Sequence, residues 1–247
     1  GTVLVEGSSG VGKTRLLEAF ARDAEWRGAE VLWGHSSESG TATPYEVIVN
    51  ALSSGLTSLR ANQLAYAVDE IWLSALGTII PNLTDKLQNL PKLPEMAPEQ
   101  SHERLMSAFA IILSAWGQIR PLVLILEDIH WADEDSLDLL IAQARHITGE
   151  YILVVGSYRG AEARGNPAVW EKLDALDRAG VRQRIVLDNL NADSSGELVR
   201  RALGLTSAAP LFEERLFQET GGNPLFLLET LRTLHDEGLL AQDENGK

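Results

Sequence analysis

Short apolar runs bounded by turn residues alternate along the chain with longer segments of helical spacing. Five runs predict strands: Thr2–Glu6, Glu30–Gly34, Pro121–Glu127, Glu150–Ser157 and Arg184–Leu187. Continuous apolar stretches of this length suit strands covered on both faces, as in a parallel sheet. The third, Pro-Leu-Val-Leu-Ile-Leu-Glu, is the most apolar. Between the runs, Leu105, Met106, Phe109, Ile112, Leu113 and Trp116 share one face of a predicted helix over Glu103–Gln118. The order strand, helix, strand, helix predicts an α/β fold with right-handed crossovers. Four prolines within Pro81–Pro98 predict an irregular loop. After Leu187 only helical patterns follow, over Asp193–Leu203, Pro210–Thr220 and Pro224–Glu237. The expected organisation is an α/β domain over residues 1–187 and a small all-helical domain over 188–247, whose end is read as the start of a further downstream domain.

Composition narrows the partners. With 21 Lys+Arg against 35 Asp+Glu, the 247-residue chain has a formal net charge of −14. Such a surface repels phosphate backbones, so no direct nucleic-acid contact is expected, although a local site can still take a nucleotide. Cysteine is absent. That excludes a disulfide framework, a Cys-ligated zinc site and a thiol nucleophile, and it fits a cytoplasmic setting. No uninterrupted apolar stretch reaches about 18 residues, so no membrane span is read. The chain runs from Gly1 straight into a strand without an initiating Met and stops in the polar run Gln242–Lys247. We therefore expect a piece of a longer protein.

The sharpest signal is Gly7-Ser8-Ser9-Gly10-Val11-Gly12-Lys13-Thr14, which matches the phosphate-binding pattern G-x-x-x-x-G-K-[ST] (the Walker A motif). A strand run ends just before it, and a helical pattern starting near Lys13 follows. Gly7, Gly10 and Gly12 let the backbone curl so that successive N–H groups converge on phosphate oxygens. The helix N-terminus, beginning with Lys13, Thr14 and Arg15, adds a favourable potential for an anion. Lys13 is expected to reach the β- and γ-phosphates, and the Thr14 hydroxyl to ligate Mg²⁺.

A phosphoryl-transfer site also needs acids near the magnesium, and the third strand run ends in Glu127-Asp128. Adjacent carboxylates repel unless a cation sits close by. The usual division gives the first acid to the metal and the second to the attacking water. Here that assigns Glu127 to Mg²⁺ and Asp128 to the water. The longer Glu in first place leaves the reverse assignment open. His130 can orient a phosphate or a water, although a histidine here is more often a packing or hydrogen-bonding residue. Asp133 or Asp135 is expected to cap the following helix. His35, His102, His146 and His235 lack metal-ligand spacing and read as structural.

Taken in order, Glu127-Asp128-Ile129-His130-Trp131-Ala132-Asp133 behind the glycine loop resembles the Walker B region of STAND-type P-loop NTPases. These are AAA-like signal-transduction ATPases, found as modules of large bacterial LuxR-type transcriptional regulators and of cyclase- or kinase-linked proteins. Val154–Arg159 is similar to the family's fourth strand, which ends in an arginine sensing the γ-phosphate. Gly221-Gly222-Asn223-Pro224 is similar to its Gly-x-Pro element, whose proline packs on adenine. The resemblance implies a parallel sheet of order 5-1-4-3-2 and a helical lid, with Arg159 on the γ-phosphate and Pro224 near the base. It also implies ATP/ADP with Mg²⁺, other domains of the same polypeptide as partners, nucleotide-dependent self-association and slow regulatory hydrolysis. Competing readings are a ring-forming AAA-type ATPase that does mechanical work, a non-hydrolysing interaction module and, least fitting, a small-molecule kinase. ATP is preferred over GTP because no Asn-Lys-x-Asp pattern occurs.

Overall fold

A computed structural model describes residues 1–38, 43–87, 89–147, 149–205, 207 and 209–240, so the polar run Gln242–Lys247 lies outside the described residues. In chain order the elements are β1 (Thr2–Gly7), α1 (Lys13–Trp26), β2 (Glu30–His35), α2 (Glu46–Gly55), α3 (Ser58–Ala67), α4 (Glu70–Gly77), α5 (Pro81–Lys86), α6 (Pro98–Ile119), β3 (Leu122–Glu127), α7 (Glu134–His146), β4 (Ile152–Tyr158), α8 (Gly160–Gly165), α9 (Pro167–Gly180), β5 (Val181–Leu187), α10 (Ala192–Leu203), α11 (Pro210–Thr220) and α12 (Pro224–Asp236). A single 3₁₀ turn, Ile129–Trp131, follows β3.

The five strands form one sheet in the order β2-β3-β4-β1-β5, the arrangement expected from the sequence read from its other edge. The pairs β1–β4, β2–β3 and β3–β4 are parallel, with Val5 opposite Ser157, Leu124 opposite Val154 and His35 opposite Glu127. Every residue of β3 is buried, which is why its sequence reads as an unbroken apolar run. Because these strands run parallel, β1, β3 and β4 end on one edge, where Glu6, Glu127 and Tyr158 lie. That edge is where open α/β sheets place their ligands.

The chain divides into two compact units: Gly1–Glu6 with Leu16–Ile185, and Gly7–Arg15 with the chain from Val186 onward. In the first, the core runs from Leu4 to Ala179 and centres on fully buried Phe109, Trp116, Leu124, Tyr158 and Leu173. Glu6, the last residue of β1 in this unit, accepts a hydrogen bond from the Tyr158 hydroxyl at 2.7 Å and pairs with Arg164 at 3.1 Å. Burial, then the Glu6 carboxylate, pushes the Tyr158 phenol well above the usual tyrosine range. In the second unit, α10, α11 and α12 enclose a smaller core of Val199, Leu216, Leu227 and Leu231.

One expectation needs correction. Pro81–Pro98 is not a loop throughout: Pro81 opens α5 and Pro98 opens α6, with an irregular stretch between them. Proline breaks a helix only past its first turn, and at its first position it removes a donor that would have no partner anyway. The helix predicted over Glu103–Gln118 is correspondingly longer, reaching back to Pro98.

Candidate functional site

The residues singled out by sequence fall into two constellations, one in each unit. The first is the glycine loop. Gly10 and Gly12 take φ of 75° and 107°, the left-handed region that side chains avoid, and these two positions let the loop curl. A Cβ on Gly10 would sit 2.7 Å from the Asn223 Oδ1, whereas one on Gly12 would meet nothing within 4 Å. Lys13 begins α1 and is buried, its Nζ donating to the Gly7 and Ser8 carbonyls, each at 3.0 Å. The loop carbonyls thus hold the ammonium in place. Val11 is buried and its N–H meets the Ser8 carbonyl at 3.5 Å. Ser8, Ser9, Thr14 and Arg15 are exposed.

The helical part of the same unit grips this loop. Pro224 stands at the first position of α12, and Asn223 before it is buried. The Asn223 Oδ1 accepts from the Leu225 and Phe226 N–H groups at 3.1 and 3.4 Å, and its Nδ2 donates to the Ser9 carbonyl at 2.9 Å. The Leu225 N–H also donates to the Gly10 carbonyl at 3.2 Å. Sequence reasoning missed Asn223. Its position before a helix-opening proline marked it as a helix cap, but no local pattern encodes a partner 214 residues away.

The second constellation lies at the end of β3. Glu127 is buried, and its Oε2 accepts from the Trp33 Nε1 at 3.2 Å and lies 2.9 Å from the His35 Nδ1. His35, read as structural, therefore lies directly against the Glu127 carboxylate. Asp128 is left-handed at φ 53°, a conformation that Asp tolerates better than most residues. Its N–H donates to the Ser157 Oγ at 3.2 Å, and its carboxylate lies 3.8 Å from the Arg159 Nε.

Arg159 follows β4 and donates to Glu162 at 3.0 Å. That bond raises the guanidinium further above its ordinary value. Burial pushes the Glu162 carboxyl up, but Arg159 and His130 outweigh it and hold it below its usual value. The His130 side chain is almost fully buried. Its Nε2–H donates to Glu162 at 2.9 Å, while its Nδ1 accepts the Arg159 N–H at 3.4 Å, which fixes a neutral tautomer. Burial lowers its pKa despite the neighbouring Asp128 and Glu162. Asp133, not Asp135, caps α7, accepting from the Ser136 N–H at 2.8 Å.

A family model described as AAA ATPase domain matches residues 1–155, a span that holds both the glycine loop and the acidic strand end. The chain belongs to the AAA ATPase domain family. Membership agrees with the resemblance to STAND-type P-loop NTPases and carries the expectation of nucleotide, usually with Mg²⁺. Among curated proteins, this AAA ATPase domain is 26 % identical over 244 residues to the uncharacterized protein R02095 of Rhizobium meliloti, covering 92 % of this chain and 22 % of that one. It is 26 % identical over 171 residues to the peroxide stress-activated histidine kinase mak2 of Schizosaccharomyces pombe, covering 58 % and 7 %. The chain therefore spans about a fifth, or less, of the length of these relatives. The Walker-type ATPase PABY2304 of Pyrococcus abyssi shares the fold, with a TM-score of 0.52 at 13 % identity over 94 % of this chain and 63 % of that one.

The donor set suits such a ligand. The loop amides, the Lys13 ammonium and the start of α1 are positive toward an anion. The Thr14 hydroxyl is a hard oxygen donor of the kind Mg²⁺ takes alongside phosphate oxygens, and so, in the other unit, are the carboxylates of Glu127 and Asp128.

Among the described residues, no helix is long and apolar enough to cross a membrane.

Proposed function

We propose that the chain is an ATP-binding, slowly hydrolysing switch module of a larger signalling protein, a regulator of transcription in the sense its resemblance implies. The observation that carries this reading is the double engagement of the glycine loop: its Gly7 and Ser8 carbonyls hold Lys13, while its Ser9 and Gly10 carbonyls are held from the start of α12. A change in what the loop binds is thereby felt at a helix outside it, as a nucleotide-operated switch requires. The match to a stress-activated kinase supports the signalling context.

In this reading Lys13 and the loop amides bind the β- and γ-phosphates, with Gly7, Ser8, Ser9, Gly10, Val11 and Gly12 supplying the curve. Bound Mg²⁺ would neutralise the phosphate charge, with Thr14 and one of the two acids as its protein ligands. Asp128 takes the proton of the attacking water, oriented by the Ser157 hydroxyl on its own N–H. Arg159, parked on Glu162, answers to the γ-phosphate. Pro224 presents its ring to the adenine, and the helices of residues 188–247 act as a lid. Other domains of the same polypeptide receive the signal, and self-association follows nucleotide state.

The direct test is binding of a fluorescent ATP analogue. Losing the charged hydrogen bonds of Lys13 in K13A should weaken it about ten- to a hundredfold. Equal affinity in the two proteins removes the reading.

A further inference from the structure

The contacts of Asn223 have a geometric consequence for the phosphate loop. A peptide unit is planar and trans, so its N–H points away from its own C=O. The Ser9 carbonyl is held by the Asn223 Nδ2 at 2.9 Å, which turns the Gly10 N–H to the side away from α12. The Gly10 carbonyl is held by the Leu225 N–H at 3.2 Å, a second brace on the same stretch of backbone, while the Val11 N–H beside it meets the Ser8 carbonyl inside the loop. The Gly10 amide in the middle of the loop is therefore aimed from behind. The side-chain orientation is not arbitrary. With Oδ1 capping two helix N–H groups, only the amide nitrogen is left to meet Ser9, and the buried side chain is satisfied in this one orientation alone.

Building on the nucleotide reading above, we propose that Asn223 is a positioning residue for phosphate recognition: through the Ser9 carbonyl it sets the direction of the Gly10 amide, so that affinity for the phosphate chain, not for the base, depends on it. The residue touches no ligand in this account. It acts through the loop backbone, and its cap on α12 keeps the Leu225 N–H in place as the second brace. The close packing of Gly10 against Asn223 and Leu225 fits the same role, because a Cβ at Gly10 would fall 2.7 Å from both.

Two substitutions separate the brace from the cap. Asn223→Asp keeps a strong helix-capping acceptor and removes the donor to Ser9. Asn223→Ser also keeps a capping oxygen but adds no charge, and it is too short to brace the loop. Affinities of the whole chain for the fluorescent ATP analogue, for GTP by competition and for inorganic tripolyphosphate, all with Mg²⁺, are measured beside the thermal unfolding midpoint. The expected result is a loss of about five- to tenfold, as for one hydrogen bond, equal for all three probes in N223S and at least as large in N223D. The unfolding midpoint should stay close to that of the wild type. A loss confined to ATP would place the effect at the base and overturn the proposal, as would unchanged tripolyphosphate affinity in both variants. Wild-type protein that binds neither ATP analogue nor tripolyphosphate overturns the nucleotide reading and this proposal with it. Normal wild-type binding with unaltered variants overturns this proposal alone.

Discussion

At the scale of single residues, the two adjacent acids are not equivalent. Glu127 is buried, and its carboxylate already serves Trp33 and His35. Asp128 is a third exposed, has its backbone fixed by Ser157, and faces Arg159. A group that accepts a proton from water needs access and a free lone pair, and Asp128 has the better claim to both. Asp128→Asn preserves shape, and Asn tolerates the left-handed backbone found there. We expect D128N to lower steady-state phosphate release by about a hundredfold or more while ATP-analogue affinity stays within a few-fold. Glu127→Gln should also lower stability, by about 1 kcal/mol, through its weakened bonds to β2. Phosphate release and thermal melting of the two variants decide the matter. Hydrolysis abolished in E127Q and intact in D128N would exchange the two roles.

At the scale of elements, legibility followed how far each segment's environment is written into its own residues. β3 was readable because a strand buried on both faces has to be apolar throughout, and α12 because Asn-Pro marks its start. The stretch from Glu46 to Lys86 was less so. α4 buries Leu73, Ser74, Ala75 and Leu76 in succession, which erases the 3.6-residue contrast, and a proline opens α5 where proline density had suggested a break. The site divided the same way. The glycine loop and the acid pair are local motifs, whereas His35 on Glu127 and Asn223 on Ser9 are pairings that only the fold creates. One such non-local fit gives a stability prediction. A Cβ built on Gly34 of β2 would lie 2.1 Å from the Val47 carbonyl, so α2 rests on the strand at a distance only glycine permits. Gly34→Ala should destabilise the first unit by about 1–3 kcal/mol, read as a lower midpoint of denaturant unfolding. An unchanged midpoint would mean that α2 shifts without penalty.

For the whole molecule, the division into units assigns the glycine loop to the helices that follow β5 in the chain, not to the body of the sheet that β1 enters. Among the described residues, the larger core draws its members from Leu4 to Ala179, ahead of those helices in the chain. The loop does need them, since the Ser9 and Gly10 carbonyls are held by Asn223 and Leu225. Folding of the first unit and phosphate binding should therefore be separable by truncation. A chain ending at Leu187 keeps all five strands and the larger core, and it should still unfold cooperatively, as followed by circular dichroism against denaturant. Its affinity for the ATP analogue should fall by more than tenfold, because the two backbone braces and any contact through Pro224 leave together. Affinity equal to that of the intact chain would show that the sheet and α1 alone shape the loop. The helices after β5 would then have no part in reading the nucleotide, and the switch would have to work through another element.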